Sequence, residues 1–235
     1  MSVRKWNSPM PNQKLLNETD LPDNVIASGL PDLFTKKRHI VYEKGMTAFT
    51  SDDTFHFFYF VVRGKIKISQ INPETSKEQT INLLTRGDMY DVVTLLDGKT
   101  HEYISVALEE SEVVEVPIGH IRELIETNSA FNRFFFPYLG KQMRQMEDLA
   151  VDLSLYDVYN RLLRLIARNI DYTKGKSTLK LINNLSHEEL AALVGSVRKV
   201  VNRNLQKLKC EGIIELSRKQ IKLKSLEDLI DKLKY

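Results

Sequence analysis

Residues 186–211 read SHEELAALVGSVRKVVNRNLQKLKCE, and this stretch decides the fold of the C-terminal part of the chain. It predicts two short helices joined by a tight turn. Ser186 is placed to cap the first helix, and Glu189, three residues later, completes a capping box. Gly195 falls at the turn, where the backbone needs a residue that is free to adopt a positive φ.

The second predicted helix carries apolar and basic residues on different faces. Its apolar residues recur at spacings of four, four and three, which predicts a buried stripe. They are Val197, Val201, Leu205 and Leu208. The basic residues beside or opposite this stripe are Arg198, Lys199, Arg203, Lys207 and Lys209. A packed first helix, a glycine turn and a cationic second helix are what a major-groove reading unit requires. An ordinary amphipathic helix pair with a solvated basic face is the alternative.

A small basic hairpin is expected directly after the helix pair. Ile213–Leu216 and Gln220–Leu223 flank Ser217-Arg218-Lys219, which predicts a wing whose tip reaches phosphate. His187, next to the cap, is expected to face solvent or phosphate. The predicted DNA-binding residues are therefore Ser196, Arg198, Lys199, Asn202, Arg203, His187, Arg218 and Lys219.

The distribution of charge supports a polyanion-binding C-terminal part. Residues 1–152 hold 17 Lys and Arg against 22 Asp and Glu, a net charge of −5. Residues 153–235 hold 17 against 9, a net charge of +8. A basic segment attached to an acidic one indicates a nucleic-acid binder joined to a domain with another task.

Composition excludes several other classes of protein. A single cysteine, Cys210, rules out an internal disulfide and a cysteine-clustered metal site, so we expect no metal centre. No apolar run approaches the roughly 18–20 residues that span a bilayer, and the N-terminus does not read as a signal peptide. We therefore expect a cytoplasmic protein without a membrane partner. No phosphate loop or nucleophile–base pattern occurs, so we expect no enzyme activity.

The residues before the long helix predict a β-rich domain. The sequence FHFFYFVVRGKIKIS reads as two strands that turn near Arg63–Gly64, and Thr80–Leu84, Tyr103–Leu108 and Val113–Val116 read as further strands. Asp97–Gly98 signals a hairpin or loop. Short strands at this spacing are typical of a barrel or roll. Residues 46–54, MTAFTSDDT, resemble an insertion between two strands, whose role the sequence leaves open.

A long helix is predicted from about Ala130 to Leu153. Six apolar residues follow the 3,4 spacing of a coiled-coil seam, which predicts a dimer interface. They are Phe136, Leu139, Met143, Met146, Ala150 and Leu153. Packing on the chain's own β domain is the alternative, although Phe131, Phe134 and Phe135 offer a second apolar face for that purpose.

These elements, in this order, resemble the Crp/Fnr family of bacterial transcription regulators. The resemblance is carried by YEKG at Gly45, VVRGKIKI at Gly64, LLTRGDMYD at Gly87, Asp157 after the long helix, and the helix pair. It implies an α+β fold: a β-roll like a cyclic-nucleotide-binding jelly roll (residues 1–129, with an N-terminal arm), a dimerisation helix (130–153) and a winged helix-turn-helix (154–235). It further implies a homodimer on double-stranded, palindromic promoter DNA, with RNA polymerase as partner.

The second helix of the pair departs from the family pattern at two positions. Arg198 and Arg203 match family positions that contact bases or adjoining phosphates, and an arginine fork suits guanine. Lys199 stands where a glutamate is common and cannot accept from cytosine, so we expect a different operator. Asn204 stands where the family has an apolar residue, which suggests a small shift of register.

The effector is left open by the sequence. No arginine stands between Arg86 and Arg122, so a buried cyclic phosphate would lack the cation it needs, and cyclic AMP is disfavoured. One cysteine excludes the family's iron–sulfur cluster. Haem stays an alternative, with His39, His56, His101 and His120 as possible ligands. So do a ligand-free member, a protein-interaction module whose winged helix binds no DNA, and a small-ligand pocket. That pocket would be lined by Gly87, Tyr90, Asp91, His101, Tyr103, Met143 and Met146.

Overall fold

The computed structural model describes residues 38–100, 102–171, 179, 181–217 and 220–233. The predicted N-terminal arm lies outside these residues. Internal contacts divide the chain into two compact units. Of the described residues, the first unit contains those up to Ile68 together with Leu84–Leu139, and the second contains Ser69–Leu83 together with those from Gly140 onward.

Seven strands and three short helices precede the long helix in the described residues. In chain order, the residues before it form β1 (Arg38–Tyr42), α1 (Ser51–His56), β2 (Phe57–Arg63), β3 (Lys65–Ile71), β4 (Glu78–Thr85), β5 (Met89–Tyr90), α2 (Val92–Asp97), β6 (Ile104–Ala107), β7 (Ser111–Pro117) and α3 (Ile118–Thr127). The remainder forms α4 (Ser129–Leu155), α5 (Val158–Arg168), α6 (His187–Leu193), α7 (Arg198–Cys210), β8 (Ile214–Ser217), β9 (Gln220–Leu223) and α8 (Leu226–Leu233).

Two sheets build the predicted roll, and the strands of the larger one pair antiparallel. One has the strand order β1-β7-β2-β5, and the other has the order β4-β3-β6. Alternate residues of β2 enter two different cores: Phe58 and Phe60 pack with the helices, whereas Tyr59 packs with residues of the second sheet such as Ile66. Because both faces of β2 are covered, its sequence is a continuous apolar run rather than an alternating one.

Two short helices in the roll were not predicted. Helix α1 begins after Thr50, which forms a capping box with Asp53, so Phe55 and His56 are helical and not part of the following strand. Helix α2 begins after Asp91 and ends at Gly98, which has φ +72. The Asp97–Gly98 signal therefore ends a helix and does not form a hairpin.

The segment that resembled an insertion is part of the roll over its first residues. The backbone N–H of Gly45 donates to Ala107 O at 2.7 Å, and that of Ala48 donates to Ser105 O at 3.1 Å. Ala48 and Phe49 are buried. Residues 46–49 thus run along β6 and contribute to the core, because their backbone groups and side chains are both used by the fold.

The long helix α4 packs on the roll through its first half. Phe131, Phe135 and Tyr138 are buried there, and the Tyr138 hydroxyl donates to Met89 O while accepting from Met89 N. The predicted seam lies elsewhere on the helix: Phe136, Met143 and Met146 are 54%, 59% and 39% exposed. Ala150 is also exposed, and Leu139 and Leu153 are half-buried. None of the described helices is long and apolar enough to cross a membrane.

Candidate nucleic-acid interface

The turn between α6 and α7 has the geometry that the sequence predicts. Ser186 Oγ accepts from Glu189 N at 3.2 Å, and the Glu189 carboxylate accepts from Ser186 N, which completes the capping box. Gly195 has φ +63. The N–H of Ser196 donates to Ala191 O at 2.9 Å, which closes the turn. The predicted helix-turn-helix is therefore confirmed.

Side chains from three other elements close around this turn. Arg161 of α5 donates to Val194 O at 2.7 Å and to Tyr156 O at 2.8 Å. Gln79 of β4 donates to Leu193 O at 3.4 Å. A Cβ atom on Gly195 would lie 2.5 Å from Leu153 Cδ2 and 2.9 Å from Gln79 Oε1. The φ of this residue thus favours glycine, and a larger side chain would also have to displace the ends of Leu153 and Gln79.

A cavity of about 150 Å³ lies beside the turn, within the second unit. Strand β4 lines it with Thr80–Leu83, α4 with Leu149 and Asp152, and the end of α6 with Leu193 and Val194. Strand β4 therefore forms part of the surroundings of the reading helices, which the sequence did not indicate.

The exposed face of α7 carries the predicted base-reading residues. Val201, Leu205 and Leu208 are fully buried, as their spacing predicts. On the other side, the exposed residues include Arg198, Lys199, Asn202 and Arg203. Ser196 and His187 are half-buried, and Arg198 lies 3.7 Å from the Glu188 carboxylate. The structure thus gathers four of the predicted DNA-binding residues on one open helix face.

The prediction that Val197 is buried was wrong, because this residue is 56% exposed. It is the N-cap of α7, with extended backbone angles of φ −114 and ψ 151. Helical spacing does not apply to a residue that precedes the helix. The suspected register shift at Asn204 is also absent: its amide donates to Val200 O at 3.1 Å, while Val201 and Leu205 keep their buried positions.

The predicted wing is present as an antiparallel hairpin. In β8 and β9, Ile214 pairs with Leu223 and Ser217 with Gln220, and Ile221 is buried. Arg218 and Lys219, at the tip, lie outside the described residues. The hairpin confirms the wing, whereas the proposed phosphate contact of its tip stays a prediction.

The C-terminal end of α7 is anchored to α5. The Tyr159 hydroxyl donates to the Glu211 carboxylate, and Lys207 Nζ lies 4.3 Å from the centre of the Tyr159 ring. Lys232 lies 3.7 Å from Glu211. Burial, with the nearby Glu211 carboxylate, raises the pKa of Tyr159 well above its usual value, so the phenol keeps its proton. Lys207 therefore packs on the Tyr159 ring of α5.

The predicted effector residues are divided between the two units. Tyr90 is buried in the roll, with its ring centre 4.5 Å from that of Phe49, and burial raises its pKa. Asp91 caps α2, Gly87 has φ +87, and Tyr103 is half-buried. Met143 and Met146 are exposed on α4 in the second unit. His101 lies outside the described residues.

The possible haem ligands in the described chain have separate local partners. His39 Nε2 lies 3.5 Å from the Glu112 carboxylate, and His120 Nδ1 lies 3.7 Å from that of Glu123. The His56 ring packs edge-on against Phe55. Across the part of the chain that the structure describes, no three His, Cys, Asp or Glu side chains converge as a metal site would require.

A β-roll, a long helix and a winged helix-turn-helix with an open basic face define a DNA-binding regulator. Two family profiles match the chain: "Cyclic nucleotide-binding domain" over residues 39–128 and "Crp-like helix-turn-helix domain" over residues 158–232. The chain belongs to the Crp/Fnr family of transcription regulators. Its relatives are regulators and not enzymes, and the family implies DNA binding and dimeric assembly.

Individual relatives share the architecture at low sequence identity. The chain is 27% identical over 186 residues to the global nitrogen regulator of Nostoc sp., which covers 77% of this chain and 82% of that protein. It is 22% identical over 219 residues to the CRP-like cAMP-activated global transcriptional regulator of Mycobacterium tuberculosis, covering 92% and 97%. The solved structure of a CooA mutant from Carboxydothermus hydrogenoformans has a TM-score of 0.76 at 21% identity, covering 93% of this chain and 98% of that one.

Proposed function

We propose that this regulator reads a palindromic operator as a homodimer, with one α7 helix in each of two major grooves. Ser196, Arg198, Lys199, Asn202 and Arg203 would face the bases or the adjoining phosphates. The observation that carries the proposal is that Lys199 and Arg203 are exposed on the face of α7 opposite the buried stripe of Val201, Leu205 and Leu208, with Arg198 and Asn202 exposed beside them. His187, Arg218 and Lys219 would contact phosphate, which positions the protein without reading sequence.

The assembly would rest on the exposed apolar residues of α4. Phe136, Met143, Met146 and Ala150 lie uncovered in the single chain, and they continue to the half-buried Leu153 at the predicted spacing. Pairing two such helices would remove this surface from water and fix the separation of the two reading units. In this scheme the β-roll (residues 1–129) would receive the effector signal, the long helix (130–153) would form the dimer, and the winged helix-turn-helix (154–235) would bind DNA. RNA polymerase would be the partner at the promoter.

Binding selection followed by titration tests the reading residues. The wild-type chain selects a site from random duplex, and binding to that site and to random duplex is measured at two salt concentrations. Arg203→Ala should weaken specific binding by about 1–3 kcal/mol and non-specific binding by less. Lys209→Ala removes the same charge from an exposed position at the far end of α7 and serves as the matched control. Equal losses on both DNAs for Arg203→Ala would mean that Arg203 contacts phosphate alone.

For the sensor, we propose that cyclic AMP is not the effector. Inside the roll, Phe49 packs on both Tyr90 and Tyr59, and the stretch from Gly87 to Ile121 holds no arginine that could pair with a cyclic phosphate. Titration calorimetry with cyclic AMP should give no binding heat. The pocket formed by Gly87, Asp91, Tyr103 and their predicted neighbours, and the haem alternative, stay predictions. Mass analysis and an absorption spectrum of the purified protein test both.

A further inference from the structure

Only two residues, Tyr156 and Asp157, separate the end of α4 from the start of α5, and we call them the hinge. Asp157 caps α5 by accepting from Asn160 N at 2.8 Å. Arg161 Nε donates to Tyr156 O at 2.8 Å, and the Arg164 guanidinium lies 4.4 Å from the centre of the Tyr156 ring. A change of φ and ψ at these two residues would redirect everything that follows, including α7.

A buried carboxylate on α4 holds the two helices together across the hinge. Asp152 is buried, and its oxygens lie 2.5 Å from Arg164 Nε and 2.6 Å from Arg168 Nη1. Arg168 Nε also lies 3.6 Å from the Asp148 carboxylate. The hydrogen bond to Asp152 raises the pKa of Arg164. The carboxylate thus receives donors from two successive turns of α5.

The order of these pairs shows how the two helices run. Moving from Asp152 back to Asp148 on α4 corresponds to moving forward from Arg164 to Arg168 on α5. Residues four apart lie on one helix face, so α5 leaves the hinge in roughly the opposite direction to α4, and the long arginine side chains bridge the two helices. The ion pairs form only while the hinge stays folded back, because opening it would carry the arginines away from Asp152.

We infer that Asp152 is a positioning residue for DNA recognition: it fixes the direction of α5, and through it the reading helix α7, relative to the dimerisation helix. The inference rests on the proposed reading of a palindrome by two α7 helices. α5 packs on both α7 and α8, and Arg161 and Tyr159 join it to the two ends of the reading unit. Fixing α5 therefore fixes the unit that reads DNA.

The energetics favour an effect on position rather than on folding. Asp152→Asn keeps the size of the side chain and removes its charge. Arg164 and Arg168 are partly exposed, so they regain water when they lose the carboxylate and are not left as buried unpaired charges. The fold of the second unit is then retained while the hinge gains freedom.

A distance measurement tests this without DNA. Cys210 is the single cysteine of the chain, is exposed, and ends α7, so it takes one spin label on the reading helix. A second label at Arg144→Cys, an exposed position of α4, completes the pair. With an excess of unlabelled chain, pulsed electron spin resonance reports the distance within one protomer. The wild-type protein should give one narrow distribution, and Asp152→Asn one that is broadened or split.

Three variants separate positioning from packing. Asp148→Asn removes an exposed carboxylate that makes one long contact and should leave the distribution narrow. Asp152→Glu keeps the charge and should restore most of the narrow distribution. Arg168→Gln removes one of the two arginines that pair with Asp152 and should broaden the distance distribution to an intermediate extent. This variant tests the inference even if Asp152→Asn fails to fold. An unchanged width in both Asp152→Asn and Arg168→Gln would overturn the inference.

Measurements of DNA affinity test whether Asp152 matters for function. The probes are the palindrome selected by the wild-type chain and a duplex holding one half-site. Asp152→Asn should lose about tenfold or more in affinity on the palindrome and less than about twofold on the half-site, because only linked binding depends on the spacing of the units. Equal losses on both probes would contradict a positioning role. If the wild-type chain selects no palindrome, the proposed function fails, and the distance measurement still decides the role of Asp152.

Discussion

Replacing Gly195 by alanine tests whether the turn is required for its φ alone or also for the close approach of its neighbours. A positive φ costs an alanine about 1 kcal/mol. The added Cβ would also lie 2.5 Å from Leu153 Cδ2, 2.9 Å from Gln79 Oε1 and 3.2 Å from Arg161 Nη1. The ends of these flexible side chains can move aside, but moving Gln79 and Arg161 disturbs their hydrogen bonds to Leu193 O and Val194 O, each of which contributes about 0.5–1.5 kcal/mol. Gly195→Ala should therefore destabilise the protein by about 3 kcal/mol.

Gly212 offers a matched control in the same part of the chain. It has φ +77, and a Cβ there would meet nothing within 4 Å. Gly212→Ala should therefore cost only the backbone contribution, about 1 kcal/mol. In thermal unfolding followed by circular dichroism, Tm should fall by about 6–12 °C for Gly195→Ala and about 2–4 °C for Gly212→Ala. Similar losses for the two variants would refute the role assigned to Leu153 and Gln79.

Three further substitutions test the seam, the base readout and the cap. Met146→Lys would place two like charges face to face between the paired helices, at a cost of several kcal/mol. Sedimentation should therefore show a monomer for Met146→Lys and a dimer for the control Met146→Leu. If Met146→Lys is still a dimer at micromolar concentration, the dimer seam lies elsewhere. Lys199→Glu should change the operator returned by selection from random DNA, because glutamate accepts where lysine donates; recovery of the same operator would remove Lys199 from the base readers. Ser186→Ala should lower the free energy of unfolding by about 1 kcal/mol in urea, against almost no change for Ser154→Ala on exposed α4.

The helix pair was predictable because its determinants are local. Ser186, Glu189 and Gly195 act within a few residues of one another, and the stripe from Val201 to Leu208 follows helical spacing. Where the same reasoning was extended beyond the helix, to Val197, it failed, since the N-cap has an extended backbone. The two six-residue helices of the roll escaped detection because a helix of that length shows less than two turns of apolar periodicity.

The surroundings of the reading turn were not predictable, because they depend on contacts between distant parts of the chain. Gln79 donates to a carbonyl 114 residues further along the sequence. The pairing of Asp152 with Arg164 and Arg168 depends on the direction in which α5 leaves the hinge, and no local pattern encodes that direction. For Tyr90, the sequence alone does not distinguish a residue that lines a ligand pocket from one that packs in the core. Its position became clear only from the tertiary packing, which places its ring against that of Phe49.

The assignment of Ser69–Leu83 to the second unit has a consequence for exchanging parts between relatives. A fragment that begins at residue 154 carries the reading helices but leaves behind Leu153, Asp152 and the β4 residues that line the cavity beside the turn. In a chimera joined at residue 154, the grafted helices would pack against the hairpin of the recipient protein, whose side chains fit that protein's own reading helices. A graft that preserves the environment of Gly195 must therefore transfer two separate stretches of sequence, the hairpin together with the chain from Gly140 onward.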